Sequence, residues 1–287
     1  MTAPAIFIGG AGRSGTTLLV DLLGVHPRLS PIYETDFVVD IGRILFVDGV
    51  ASLEAAAAFV EQYMEKWSAS LPHRPHNKRS HERYVHGPHH VLFGRDVAMA
   101  AARRFAEALR RQAGPEAFRA FIDGLFEAHA RLDGKPLWVN KTPANISLLP
   151  VLNGLYPDML FVHCVRDGRA VAASVMTRPW GPKSYDEAGR WWVGQLAQAA
   201  EFAAAHPERY VEVRYEDLLA TPEETMASLV SRLGEPEDAA SLCVAYRDAG
   251  GLLDPGRGHA WRETISGADR AAFEAVAGEA LARYGYR

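Results

Sequence analysis

Gly10, Gly12 and Gly15, with Arg13, Ser14, Thr16 and Thr17 set among and after them, could bind an anion. Glycines let a backbone approach a ligand closely and adopt positive φ. Hydroxyls and an arginine supply donors. Ala5–Ile8 reads as an apolar strand running into this turn, and Leu18, Leu19, Leu22 and Leu23 read as the apolar face of a helix leaving it. Strand, glycine-rich turn and helix N-terminus together point N–H groups and the positive end of a helix dipole at one place. The implied ligand is a phosphate or a similar group. Gly10 and Gly15 fit the spacing of G-x-x-x-x-G-K-[ST], but Thr16 stands where the lysine of an ATP or GTP loop is needed. Gly10, Gly12 and Gly15 also fit G-x-G-x-x-G, which admits a dinucleotide.

Composition narrows the classes. The chain has 287 residues, 48% hydrophobic and 23% charged, as in a globular enzyme. A net charge of -4 argues against bulk nucleic-acid affinity. No apolar run reaches the ~18 residues of a membrane span. No signal-peptide pattern is read at the start, so a cytoplasmic location is expected. Cys164 and Cys243 are too few for a disulfide framework and read as reduced core residues.

Further along, Ser30–Tyr33 reads as a second strand with Glu34 at its carboxyl end, where parallel sheets bind ligands. Glu34 is a candidate general base, or else a cap or surface charge. Residues from about 37 to 130 read as mostly helical, with helices at Ala51–Trp67, Ala98–Arg111 and Pro115–Arg131. Six of the 11 histidines fall in His73–His90, which reads as an exposed basic loop, with a metal site or a lid as alternatives. Pro136–Thr142 reads as a strand ending at Lys141. The run Met159–Val165 suits a central strand buried on both faces, followed by Arg166 and by Asp167 as the cap of a helix over Gly168–Thr177. Ser174 lies two helical turns beyond Arg166.

Ser184–Glu187 is a capping box opening a long helix whose Trp191, Leu196, Ala199 and Phe202 can face a core. Tyr210–Tyr215 reads as a last strand. Thr221-Pro222-Glu223-Glu224 reads as another cap, with its helix stopping at Gly234. A glycine-rich loop over Asp248–Gly258 leads to Arg257, Trp261 and Arg262. The last helix is read from Ala268 to Tyr284, with Phe273, Val276, Ala280 and Leu281 on one face. Alternating strands and helices predict an α/β domain covering residues 1–287. Its parallel sheet, flanked by helices as in P-loop NTPases, takes a helical insertion after the second strand.

Several of these residues match one family. Gly12-Arg13-Ser14-Gly15-Thr16-Thr17-Leu18 closely resembles the loop of sulfotransferases that use 3′-phosphoadenosine 5′-phosphosulfate (PAPS), the tyrosylprotein and bacterial branches above all. Glu34, 21 residues after Arg13, falls where the tyrosylprotein branch has its catalytic glutamate. Asn140-Lys141-Thr142-Pro143 resembles that branch's Asn-Lys-Asp-Pro, with Thr142 in place of aspartate. The resemblance implies that Gly12 to Thr17 hold the phosphosulfate with Arg13 as the working charge, and that Lys141 stabilises the leaving oxygen. It also implies that Arg166 and Ser174 hold the 3′-phosphate, and that Arg178 and Tyr215 contact the donor. Arg257 and Arg262 are candidates to close over the 3′-phosphate, and Trp261 to pack on adenine.

The implied reaction is in-line sulfuryl transfer to a hydroxyl, releasing 3′,5′-ADP with no metal expected. Fixed cations can suffice for the weakly charged sulfuryl group. A small-molecule hydroxyl, as in a natural product, lipid or sugar, is the expected acceptor, with peptide tyrosine as the alternative. An NAD(P)-dependent oxidoreductase and a non-catalytic nucleotide-binding module are the competing readings. Neither uses Glu34, Lys141, Arg166 and Ser174 together.

Overall fold

The computed structural model describes residues 4–70, 94–111, 114–235 and 237–286. The His73–His90 stretch lies outside them. Five strands form a parallel sheet flanked by helices, in the order β2-β3-β1-β4-β5. The strands are β1 (Ile6–Gly9), β2 (Leu29–Tyr33), β3 (Leu137–Lys141), β4 (Leu160–Val165) and β5 (Tyr210–Arg214). Each of β1, β2 and β4 is buried along its whole length, as the apolar runs require of strands covered on both faces. By its contacts the chain divides into two compact units.

The first unit holds residues 1–7, 23–142 and 150–159. Here β2 and β3 pair in parallel, with Tyr33 opposite Lys141 and Ile32 opposite Asn140. Between those strands the chain makes the expected helical insertion: α2 (Asp36–Arg43), α3 (Leu53–Ser70), α4 (Arg95–Arg110) and α5 (Pro115–Leu132). Aromatic rings fill its core. Phe105 stacks on Phe121 at 5.0 Å between centroids, and Phe37 meets both Phe121 and Trp67 edge-on. A π-helical turn, Ile44–Asp48, extends α2, a feature that apolar spacing does not reveal. The short helix α6 (Leu149–Leu155) begins within residues 143–149 of the second unit and ends in this one.

The second unit holds residues 8–22, 143–149 and 160–287. It contains α1 (Thr16–Gly24, as far as residue 22), α7 (Gly168–Val175), α8 (Tyr185–Ala205), α9 (Tyr215–Ala220), α10 (Pro222–Arg232), α11 (Ala239–Asp248) and α12 (Gly267–Arg283). Asp167 caps α7 by accepting from the Arg169 N–H. Ser184 caps α8 by accepting from the Glu187 N–H, while Glu187 reaches the N–H of Lys183, one residue before the cap.

Trp192, not Trp191, is the buried ring of α8; Trp191 sits partly buried at the edge of the cluster that Trp192 forms with Phe273 and Leu281. The buried residues of α12 are Phe273, Ala277 and Leu281, so Ala277 and not Val276 lies between the two larger side chains. Thr221 precedes α10 without capping it, because its hydroxyl turns back to the Asp217 carbonyl. Two helices escape the pattern reading. Six-residue α9 starts directly at the end of β5, and α11 is capped by Asp238.

His163 lies in the middle of β4, fully buried, with Nδ1 2.7 Å from the Tyr210 hydroxyl. Burial pulls its pKa down to about 3. The unfolded chain therefore binds a proton below about pH 6.5 that the folded chain refuses. Stability should fall as pH drops from about 6.5 towards 3, by up to about 1.4 kcal/mol per pH unit from this group. In urea titrations between pH 7.5 and 4.5, His163→Phe should flatten that slope. Equal slopes for the two proteins would contradict the assignment.

Candidate active site

Between β1 and α1 the chain turns at Gly10–Gly15. The Gly10 N–H donates to the Pro143 carbonyl at 3.1 Å, and Ser14 N–H to the Ala11 carbonyl at 3.0 Å. Asn145 reaches back to the Ile8 carbonyl and braces the turn from below. A Cβ on Gly10 would lie 2.4 Å from the Cys164 carbonyl oxygen. Gly15 has φ +97, and a Cβ there would lie 2.2 Å from the Tyr215 ring. Both positions therefore need glycine. Gly12 is different: its Cβ would meet only ring edges of Trp180 and Trp191, at 3.2 and 3.8 Å.

Arg13 adopts φ +74, a left-handed conformation that costs a side-chain-bearing residue about 1–2 kcal/mol. Such strain collects at functional sites. Thr16 opens α1, whose first N–H groups have no acceptor within their own helix. The Ser14 hydroxyl is buried and has no hydrogen-bond partner among the described residues. The Cys164 thiol donates to the Ser14 carbonyl at 3.1 Å, and burial pushes its pKa up to about 12, so it is a packing group and not a nucleophile.

Cations surround this turn. The Arg13 side chain donates from Nε to Ser174 Oγ at 3.0 Å. Arg166, just past β4, donates to the carbonyls of Arg13 (3.1 Å) and Arg257 (3.3 Å), and lies 4.3 Å above the Tyr215 ring. Its Nε is buried with no partner among the described residues. Arg13, Ser174, Arg166, Tyr215 and Arg257 thus come together although the sequence spreads them over 13–257. Arg178 and Arg262 are exposed, the first beyond the end of α7 and the second in the turn Ala260–Glu263.

Trp261 is buried, with the Arg169 guanidinium 4.4 Å over its ring. Its 5% exposure leaves little of the ring open. Arg169 is a buried cation that the apolar pattern does not reveal. It is 2% exposed and bonded to Asp167 and Glu274. The signal was available: a cation in the first turn of a helix opposes the dipole and needs a partner.

In the first unit, Glu34 directly follows β2 and Lys141 is the last residue of β3. Lys141 Nζ donates to the Glu34 carboxylate. The Lys141 side chain is 1% exposed and that of Glu34 27%. Lys141 Nζ also lies 5.6 Å from the Tyr33 ring centroid. Glu34 adopts φ +45, at a cost of about 1–2 kcal/mol, and its N–H donates to the Lys141 carbonyl at 2.8 Å. Around the pair, Asn140, Thr35 and Thr142 form a buried network: Asn140 Nδ2 donates to Thr35 Oγ1 at 2.8 Å, and the Thr35 N–H donates to Thr142 Oγ1 at 2.9 Å.

The model of the sulfotransferase family matches residues 4–239. The chain belongs to the sulfotransferase family. It is 27% identical over 240 residues to protein-tyrosine sulfotransferase 2 of Gallus gallus, covering 80% of this chain and 51% of that one. The chain spans about half the length of the curated relatives it matches. Two solved structures share the fold of this sulfotransferase-family chain. One is the sulfotransferase domain from the Synechococcus PCC 7002 olefin synthase, at TM-score 0.59 and 20% identity over 96% of this chain and 94% of that one. The other is the sulfotransferase domain from the curacin biosynthetic pathway, at TM-score 0.61 and 18% identity over 100% of this chain and 99% of that one. No helix among the described residues is long and apolar enough to cross a membrane. Nor do three His, Cys, Asp or Glu among them gather as a metal-holding group.

Proposed function

We propose that the chain transfers the sulfuryl group of PAPS to an acceptor hydroxyl. The observation that carries this reading is the convergence of Arg13, Ser174 and Arg166 on the Gly10–Gly15 turn, where the buried Ser14 hydroxyl has no partner among the described residues. A glycine turn alone fits any phosphate. An arginine pair and a serine beside it fit a ligand with a second anionic group, as the 3′-phosphate of PAPS supplies.

The residues divide the work. The turn and the first N–H groups of α1 bind the phosphosulfate, with Ser14, Thr16, Thr17 and Arg13 as further donors. Arg166 and Ser174 bind the 3′-phosphate, and Tyr215 backs Arg166. Glu34 takes the proton of the acceptor hydroxyl as its oxygen bonds to sulfur. Lys141 donates to the phosphate oxygen released when the sulfur–oxygen bond breaks, neutralising the charge that grows there. Arg178, Arg257 and Arg262 add positive charge for the donor. Trp261 is assigned no contact with adenine, since the Arg169 guanidinium already lies over its ring.

The acceptor is proposed to be a small molecule bearing a hydroxyl. Peptide tyrosine, the acceptor in the name of the Gallus gallus relative, is the alternative. Incubation with labelled PAPS, a small-molecule panel and a tyrosyl peptide, read by mass spectrometry for sulfate gain, separates the two. Donor binding has its own test. Arg166→Ala should weaken 3′,5′-ADP by about 10–100-fold, the worth of a charged hydrogen bond, with little change for 5′-AMP. Equal 3′,5′-ADP affinity in both proteins would sink the 3′-phosphate role.

A further inference from the structure

Glu34 is held in a conformation its own backbone disfavours, with φ +45. Two fixed points enforce it. On one side Tyr33 is the last residue of β2, in register with Lys141. On the other, Thr35 is fully buried and tied to Thr142 twice: N–H to Oγ1 at 2.9 Å, and hydroxyl to hydroxyl at 3.2 Å. Asn140 donates to Thr35 Oγ1, and the Thr35 and Thr142 hydroxyls share a further hydrogen bond in which either can be the donor. Thr142 is equally buried, so none of these bonds exchanges readily with water. Glu34 is the single residue bridging the two anchors.

We propose that the Thr35–Thr142 pair is a positioning device for the Glu34 carboxylate, locking the strained turn so that the carboxylate meets Lys141 and faces the acceptor. The proposal rests on the reading of Glu34 as the base. It also gives a role to Thr142, which stands where the related motif has an aspartate. A neutral hydroxyl bonds the Thr35 backbone without offering the Lys141 ammonium a second carboxylate.

Thr142→Val keeps the side-chain shape and removes the acceptor; Thr142→Ser keeps the acceptor. In Thr142→Val, kcat for PAPS turnover should fall on the order of 10–100-fold, as small misplacements of catalytic groups do, with KM for PAPS unchanged. Thr142→Ser should restore most of the rate. Hydrogen exchange at the Glu34 amide, followed by NMR on the protein alone, should quicken at least about tenfold in Thr142→Val, since freeing the turn lets the Glu34 N–H leave the Lys141 carbonyl.

In a Glu34→Gln background, Thr142→Val should cost little further turnover, because both changes act on one group. Wild-type exchange and wild-type kcat in Thr142→Val would overturn the proposal, and so would losses that multiply. If the wild-type chain failed to bind 3′,5′-ADP, the sulfotransferase reading would fall instead, and the exchange measurement would still decide whether Thr142 holds the turn.

Discussion

Glu34→Gln is expected to lower kcat by about 10²–10⁴ while 3′,5′-ADP binds as before, because an amide cannot accept the acceptor's proton. Glutamine is the better probe than alanine. Its carbonyl still accepts from Lys141, whose side chain is 1% exposed. Truncation to alanine removes an ion-pair partner from that buried ammonium, at about 3–5 kcal/mol for pairs of this kind, and mixes loss of stability with loss of chemistry. Steady-state rates with PAPS and a competent acceptor, alongside calorimetric titration of 3′,5′-ADP, decide the matter. Full activity in Glu34→Gln would leave the proton without its assigned receiver.

Gly15→Ala should abolish useful donor binding, with 3′,5′-ADP affinity down on the order of 100-fold or more. Two costs coincide there. An alanine at φ +97 is strained by about 1–2 kcal/mol. Its methyl group, 2.2 Å from the Tyr215 ring, adds about 1–3 kcal/mol of overpacking. Relief by moving Tyr215 displaces Arg166, which rests 4.3 Å above that ring, and relief by moving the turn displaces its N–H donors. Gly194→Ala is the control. Gly194 sits inside α8 with open space at its Cβ, so alanine there should add about 0.5–1 kcal/mol of stability without altering turnover. Isothermal titration and thermal melts of the two variants test the contrast. Normal 3′,5′-ADP binding by Gly15→Ala would show that the turn does not hold the donor as proposed.

The legible part of the chain was the local part. Ile6–Gly9, the glycine turn and Thr16–Gly24 follow one another within a few residues, so apolar runs and glycine placement reveal them directly. The same holds for β4 with Arg166 at its end, and for the Ser184 cap of α8. Glu34 is legible as the carboxylate at the end of a strand-like run, and Lys141 through the resemblance of Asn140–Pro143 to a sulfotransferase motif. Where a pattern was one residue wide, it slipped: Trp191 and Trp192 are neighbours, and only packing against Phe273 decides which ring is buried.

The residues alone were enough for the α/β class, the insertion after the second strand and the glycine turn between the first strand and helix, since these depend on period, run length and glycine spacing. Tertiary structure had to decide the rest, because it rests on contacts between distant positions. Nothing local foretells that Arg13 donates to Ser174, 161 residues on, or that Arg166 reaches Arg257. Nothing local shows that Trp261 is covered by Arg169, or that Thr35 and Thr142, 107 residues apart, clamp the turn at Glu34. Hydrogen bonds of this kind leave no period in a sequence. The Thr35–Thr142 bonds arise because strand pairing sets Tyr33 opposite Lys141, which brings the residues just beyond the two strand ends together.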